Sequence, residues 1–281
     1  MAGLVKKFLA SASVVAGMSA VFGAPALAVS ITSATVTGDH VIYGYDPVQG
    51  DLDPGVGTAL EALNGPGNVE LSGQLGSPYV VDLMNPTTLE VLFDDGSDVT
   101  FRSMTWNDWT ADLNGDGSGY DFFLQWYNEG ISTAGSGLED FGSSQGAYEA
   151  GFAFFTGQGG EYPEVGRFSD PNVATVQKKG NGDISFQLAG HNNHSSGFNF
   201  SEVVAVERDG LLLGYVYKFG GPDELATVFD DDPEGSHEGL YNFTITSGGG
   251  ILSESIPEPS TLLGLMAVGG LVAATKRKSQ K

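Results

Sequence analysis

The segment from Asp112 to Asp121 combines the residue types and the spacing needed to bind a metal ion. Side-chain oxygens stand at its positions 1, 3 and 5, and Gly117 stands at position 6, as in the first half of a calcium loop of the EF-hand type. Calcium takes about six to eight oxygen ligands, and this spacing turns several of them toward one point. We therefore predict a Ca²⁺ site whose ligands are Asp112, Asn114, Asp116, Ser118 and Asp121.

The match to such a loop is partial, and a second interpretation stays open. Position 12 is Phe123, where an EF-hand has a bidentate glutamate, so Asp121 or a distant acidic residue would have to complete the shell. The alternative is a polar turn without metal, because Asn-Gly and Asp-Gly pairs favour turns for backbone reasons alone.

Aromatic residues bracket this loop and allow two interpretations. Exposed rings beside a calcium ion would form a stacking platform for a sugar, since one face of a pyranose is apolar. Buried rings would belong to the core, where aromatic side chains supply much of the buried area. We expect the core for most members of the group, which consists of Trp106, Trp109, Tyr120, Trp126 and Tyr127.

The elements that must position these residues are mainly strands. Apolar and polar residues alternate in Asp183–Ala189, which is typical of a half-buried strand. Asp209-Gly210 between two apolar runs predicts a hairpin, as does Asp95-Gly96. The predicted strands are Ser30–Tyr45, Asn68–Gln74, Leu89–Phe93, Val99–Trp106, Asp121–Tyr127, Gly151–Thr156, Asp183–Ala189, Glu202–Glu207, Leu211–Phe219 and Leu240–Thr246.

One short helix, around Val56–Leu63, interrupts this series. About ten strands with turn signals between them predict an all-β fold, a two-sheet β-sandwich of jelly-roll-like type. Because no repeat of fixed period and no proline-rich linker is seen, residues 29–253 are expected to form one domain.

The charge of residues 29–253 excludes nucleic acid as a partner. This segment holds six of the 12 Lys and Arg residues and 33 of the 35 Asp and Glu residues, so its formal charge is 6 minus 33, or −27. Nucleic-acid binding needs a basic surface and is therefore excluded. The chain has no cysteine, which rules out disulfides and a cysteine nucleophile.

The first 28 residues have the three parts of a secretory signal peptide. Lys6 and Lys7 precede an apolar run, and the small residues Ala26 and Ala28 form an A-x-A cleavage site. We predict a signal helix over residues 1–28, removed by cleavage after Ala28, and hence export of the protein.

The C-terminal residues 254–281 also have three parts. Pro257, Glu258, Pro259 and Ser260 come first, and an apolar segment over 260–275 follows, near the lower length limit of a transmembrane helix. The basic end, residues 276–281, begins with Lys276, Arg277 and Lys278 and predicts a cytoplasmic C-terminus. This tail resembles the PEP-CTERM sorting domain of Gram-negative bacteria. The resemblance implies processing by an exosortase, a membrane-embedded peptidase, near the PEP motif.

Together these observations predict an exported protein that is held transiently in the inner membrane by its C-terminal helix and then reaches the cell surface or the extracellular space. The family resemblance implies a non-catalytic role in surface or biofilm material, with extracellular polysaccharide as a partner. A calcium-dependent carbohydrate-binding module is one alternative. A secreted polysaccharide hydrolase is the other alternative. Such an enzyme needs a pair of carboxylates, and 33 acidic residues could supply one. Because acidic residues are so abundant, their presence is no evidence for a hydrolase.

Overall fold

The computed structural model describes residues 29–48, 51–72, 82–113, 119, 121–134, 168–191, 199–225 and 239–253. Strands dominate these residues and form two antiparallel sheets. The sandwich-like arrangement predicted from the sequence is thus confirmed at this level. The predicted signal helix over 1–28 and the C-terminal helix over 260–275 lie outside the described residues.

The smaller sheet has five strands, in the order β1-β5-β6-β10-β11. Burial alternates along them as the sequence pattern requires: in β5, Leu89, Val91 and Phe93 are buried while Glu90 and Leu92 face outward. The bounds are β1 Ile31–Thr37, β5 Thr88–Phe93, β6 Asp98–Arg102, β10 Val204–Arg208 and β11 Leu211–Val216.

The larger sheet has nine strands. Seven follow the order β12-β13-β8-β7-β4-β2-β3, while β14 pairs with β13 and β9 pairs with β8. The bounds are β2 His40–Asp46, β3 Asp51–Pro54, β4 Asn68–Leu71, β7 Asn172–Lys178, β8 Ile184–His191, β9 Phe200–Ser201, β12 Glu224–Leu225, β13 Gly239–Ile245 and β14 Ile251–Ser253.

Three helices occur among the described residues: α1 Ala59–Asn64, α2 Trp106–Trp109 and α3 Asp121–Ala134. The helix predicted around Val56–Leu63 corresponds to α1. It begins with a capping box, in which the Thr58 hydroxyl accepts from the Glu61 amide and the Glu61 carboxylate accepts from the Thr58 amide.

The strand predicted over Asp121–Tyr127 is wrong, because these residues begin α3. Apolar side chains at 122, 123, 126 and 127 lie on one face of a helix, and all four are buried. Burying that face against the five-stranded sheet outweighs the preference of aromatic residues for strands.

The buried apolar side chains of the described residues form two hydrophobic cores. The first lies between the sheets, where the rings of Phe101 on β6 and Phe186 on β8 are 4.8 Å apart. The second lies on the other face of the five-stranded sheet, where α2 and α3 pack over its β10 and β11 end. There the ring of Phe122 is 4.3 Å from that of Tyr215. One sheet is thus covered on both faces at this end.

Other predicted strands differ from the observed strands in their bounds. Ser30–Tyr45 is two strands, β1 and β2, because the chain turns at Gly38, whose φ is +105°. Val99–Trp106 ends at Arg102, where β6 stops before α2. The strand predicted over Gly151–Thr156 lies outside the described residues. The Asp95-Gly96 and Asp209-Gly210 hairpins are confirmed, since β5 pairs with β6 and β10 with β11.

In the described part of the chain, none of the helices has the length and apolar character that crossing a membrane requires.

Candidate functional site

Two of the predicted calcium ligands lie in the described structure. Asp112 is exposed three residues after α2, and Asp121 is the first residue of α3. The amide of Asp121 donates a 3.0 Å hydrogen bond to the carbonyl of Ala111, so the chain enters and leaves the loop at adjacent points. The other predicted ligands, Asn114, Asp116 and Ser118, lie outside the described residues.

The described residues contain no cluster of acidic or histidine side chains that would bind a metal. Nowhere among them do three histidine, aspartate or glutamate side chains converge in a way that would hold an ion. The Ca²⁺ site therefore stays a prediction that depends on Asn114, Asp116 and Ser118.

The aromatic residues around the loop are mostly core, as expected. Trp109, Trp126 and Tyr127 are buried in the second core, where the indoles of Trp109 and Trp126 meet edge to face at 5.3 Å. Trp106 is half-buried, and Tyr120 lies outside the described residues. Of the described aromatic residues in this group, Trp106 is therefore the one placed to contact a ligand.

Trp106 lines a cleft of about 380 Å³. The cleft lies between the loop that precedes β5 and the α2 turn, and its volume is in the range of small-molecule sites, roughly 300–1,000 Å³. Its walls combine apolar and polar side chains, namely Leu83, Met84, Pro86, Arg102, Thr105, Trp106, Asn107 and Asp108.

The loop wall of the cleft is fixed by local hydrogen bonds. The Asp82 carboxylate accepts from the side chain and the amide of Asn85 and from the amide of Met84, and these bonds hold the pKa of Asp82 below its usual range. The carbonyl of Leu83 accepts a 3.1 Å hydrogen bond from the amide of Trp106, which joins the loop to α2. The chain's own hydrogen bonds thus fix this wall of the cleft.

An ion-pair network centred on Arg102, called the floor of the cleft below, contributes Arg102 and Asp108 to the lining. The Nη1 and Nη2 of Arg102 donate to the two oxygens of Asp108 at 2.7 and 2.9 Å, and its Nε donates to Glu207 at 2.8 Å. These hydrogen bonds, above all those to Asp108, raise the pKa of Arg102. Such bidentate geometry fixes both partners more firmly than a single contact does.

Asp108 stays ionised in spite of its burial. Burial by itself raises the pKa of this carboxyl, but hydrogen bonds from Arg102 and Thr105 outweigh that effect and the pKa is lowered. The phenol of Tyr215 also donates to Asp108, at 2.9 Å. Burial, followed by the charge of Asp108, raises the pKa of Tyr215, so the phenol remains a donor.

Sequence reasoning did not find this network, although one part of it was visible. Thr105-Trp106-Asn107-Asp108 has the spacing of a capping box, and α2 does begin with one. The contact between Arg102 and Glu207 joins residues 105 positions apart and depends on the pairing of β6 with β10. No local pattern could have indicated it.

The residues predicted for export and sorting lie outside the described structure. They are Ala26, Ala28, Pro257, Glu258, Pro259, Ser260, Lys276, Arg277 and Lys278. The predicted sorting residues, from Pro257 to Lys278, are supported by comparison with protein families. The profile of the PEP-CTERM protein-sorting motif matches residues 255–278. The chain carries a PEP-CTERM sorting motif.

The PEP-CTERM motif implies exosortase-dependent sorting of an exported protein, with the C-terminal region near the membrane during processing. The match covers less than a tenth of the chain and leaves the β-sandwich unassigned. No curated protein and no solved structure matches the chain significantly.

Proposed function

We propose that residues 29–253 form a non-catalytic protein of the cell surface or extracellular matrix, delivered through the exosortase pathway. The observation that carries this proposal is the PEP-CTERM motif at residues 255–278. The segment 260–275 then holds the protein in the inner membrane only until processing near Pro257-Glu258-Pro259 is complete.

The ion pairs of the β-sandwich support a structural role for its charged residues. Lys178, which is 7 % exposed, binds Asp95 across the two sheets. Lys218 donates to both oxygens of Asp223 at 2.7 and 2.8 Å, and Asp223 also accepts from the amide of Asn242. Each of these carboxylates stabilises a junction between elements, which is a different task from exchanging protons with a substrate.

The sorting proposal is tested by following the protein in the producing cells. Replacing Pro257, Glu258 and Pro259 by alanine is expected to leave the full-length chain in the membrane fraction. The unchanged protein should appear outside the membrane in a shortened form. Alanine at Pro233 and Glu234, which repeats the Pro-Glu pair elsewhere in the chain, is the matched control. Equal release of the motif variant and the control would contradict the proposal.

A calcium-dependent carbohydrate-binding module is the alternative that one observation favours. The bond between Ala111 and Asp121 brings both ends of the predicted loop together. Extracellular polysaccharide would be the partner, and Ca²⁺ would be held by Asp112, Asn114, Asp116, Ser118 and Asp121.

The calcium part of this alternative has its own test. A ligand that binds only the folded state raises stability, so replacing Asp112 and Asp116 by alanine should lower the melting temperature in calcium but leave it unchanged in chelator. An equal loss in both conditions would mean that the two residues stabilise a turn without metal.

A secreted polysaccharide hydrolase remains the other alternative. Glycosidic bonds are cleaved by a pair of carboxylates about 5–10 Å apart in a cleft. Hydrolysis of a polysaccharide by the purified protein that is abolished when such a pair of carboxylates is replaced by the amides would establish this alternative over the non-catalytic one.

A further inference from the structure

The cleft beside Arg102 offers a free hydrogen-bond donor on its floor. A guanidinium group has five N–H bonds. Arg102 uses four of them, toward Glu207, the carbonyl of Ser103 and the two oxygens of Asp108. Among the described residues the remaining N–H, on Nη2, has no acceptor. It is therefore available to an oxygen atom of a molecule in the cleft.

The net charge of the Arg102 network disfavours the binding of an anionic ligand. One guanidinium is matched by two carboxylates, those of Asp108 and Glu207, so the network carries an excess negative charge. The surrounding domain adds a formal charge of −27, the difference between six basic and 33 acidic residues in 29–253. An anionic ligand would be repelled both at a distance and on contact.

The walls of the cleft match a molecule with one apolar face. Leu83, Met84, Pro86 and the half-buried ring of Trp106 form an apolar lining, while Asn107 is exposed and offers its carboxamide. Such a lining with a few placed polar groups is the usual composition of a small-molecule site. A sugar ring has this character, because its axial C–H bonds form an apolar face and its rim carries hydroxyl groups.

The surface next to the cleft is suited to a longer chain of such rings. Arg102 belongs to the outer face of the five-stranded sheet, where Thr88 is its cross-strand neighbour on β5. The same face continues through Thr100 and on to Glu90, which is exposed. These positions carry hydroxyl and carboxylate groups, which are able to hydrogen-bond to sugar hydroxyls.

We propose that this cleft binds an uncharged sugar residue of a glycan, with the ring against Trp106 and Met84 and one of its oxygens on the Arg102 guanidinium. Its described lining includes no residue of the Asp112–Asp121 loop, and the binding that we propose needs no calcium. It depends neither on the sorting pathway nor on the assignment of a surface role, so it stands or fails independently of the proposed function.

The experiment titrates the exported protein, purified from producing cells, with cellohexaose, mannohexaose and the anionic hexaguluronate. We expect at least one uncharged hexaose to bind and hexaguluronate not to. Because Trp109 and Trp126 are buried, the accompanying change in tryptophan emission should come from Trp106, the third tryptophan of the chain. The affinity should be the same in calcium and in chelator.

Variants locate the site. Trp106→Ala should weaken binding roughly tenfold or more, as truncation of a central aromatic contact does. Because Trp106 also contacts the second core, Met84→Ser is the second variant. Met84 is 73 % exposed, so this change should weaken binding without disturbing the fold. Leu225→Ser, at a residue 76 % exposed on the other sheet, is the matched control and should bind normally.

Four results of these titrations would overturn the proposal. They are failure of both uncharged hexaoses to bind, equal binding of hexaguluronate, loss of binding in chelator, and unchanged affinity in both cleft variants. Binding of an uncharged hexapeptide in place of the hexaoses would also overturn it and would assign the cleft to a protein partner.

Discussion

Arg102 and Asp108 are joined by two parallel hydrogen bonds, from Nη1 to Oδ2 at 2.7 Å and from Nη2 to Oδ1 at 2.9 Å. The pair connects the end of β6 to the short helix α2 and closes the floor of the cleft. Both side chains are largely removed from solvent, at 14 % and 8 % exposure. A contact of this kind is expected to matter both for stability and for the shape of the cleft.

Asp108→Asn should lower the free energy of unfolding by about 3 kcal/mol, because it leaves a largely buried guanidinium with one charged partner in place of two. Urea denaturation followed by tryptophan fluorescence measures the change. Asp209→Asn is the matched control, since Asp209 is exposed and its φ of 52° suits asparagine equally well. A loss below 1 kcal/mol for Asp108→Asn would contradict the importance of the pair.

The stability contributed by Asp108 should disappear in acid. The pKa of this carboxyl is lower in the folded protein than its ordinary value of 3.8, so the unfolded chain takes up a proton first as the pH falls. The contribution is fully present above about pH 4 and is lost as the pH falls through the folded pKa. Urea midpoints measured from neutral pH into acid should therefore fall less steeply for Asp108→Asn. If the urea midpoints of the two proteins fell in parallel with pH, Asp108 would not be the group whose protonation lowers stability.

Phe186→Ala should lower the free energy of unfolding by about 3–5 kcal/mol, because it leaves a cavity between the sheets opposite Phe101. Phe186 is 1 % exposed. Leu92→Ala, on the outer face and 37 % exposed, is the control and should change stability by about 0.5 kcal/mol or less. Similar losses in the two variants would mean that the inter-sheet core does not dominate stability.

Gly210→Ala should destabilise the protein by about 1 kcal/mol, because Gly210 has a φ of +70° in the turn between β10 and β11. Gly221→Ala isolates the backbone effect. Neither added methyl group would meet an atom within 4 Å, but only Gly210 has a left-handed φ. Thermal unfolding of both variants provides the measurement, and equal melting temperatures would contradict the backbone argument.

The hairpins and the two-sheet arrangement could be predicted because their signals are local. Asp209-Gly210 and Asp95-Gly96 each lie between two apolar runs, and both pairs form turns. The strand β7, Asn172–Lys178, was missed, although its Val173 and Val176 are both buried. Its burial pattern does not alternate cleanly, because the register shifts between Ala174 and Gln177 and breaks the period of two.

Helix α3 shows a different limit of sequence reasoning. Its phenylalanine, tryptophan and tyrosine side chains favour strands by propensity, and the spacing of Phe122, Phe123, Trp126 and Tyr127 favours a helix. The sequence contained the correct signal, which propensity obscured. The cleft is a harder case, because Arg102, Asp108 and Glu207 meet only after strands distant in sequence have paired.

The last described strand sets a short stand-off distance between the folded body and the membrane. β14 is hydrogen-bonded to β13 up to Ser253, which pairs with Phe243, and Pro257 follows four residues later. The predicted apolar segment begins at residue 260, and a fully extended chain of seven residues from Ser253 reaches at most about 25 Å. In the sorting step that we propose, a body of formal charge −27 is therefore held within about 25 Å of the lipid surface, a few screening lengths of about 10 Å each. Cleavage of the tether would remove this constraint and let the acidic body move away from the membrane.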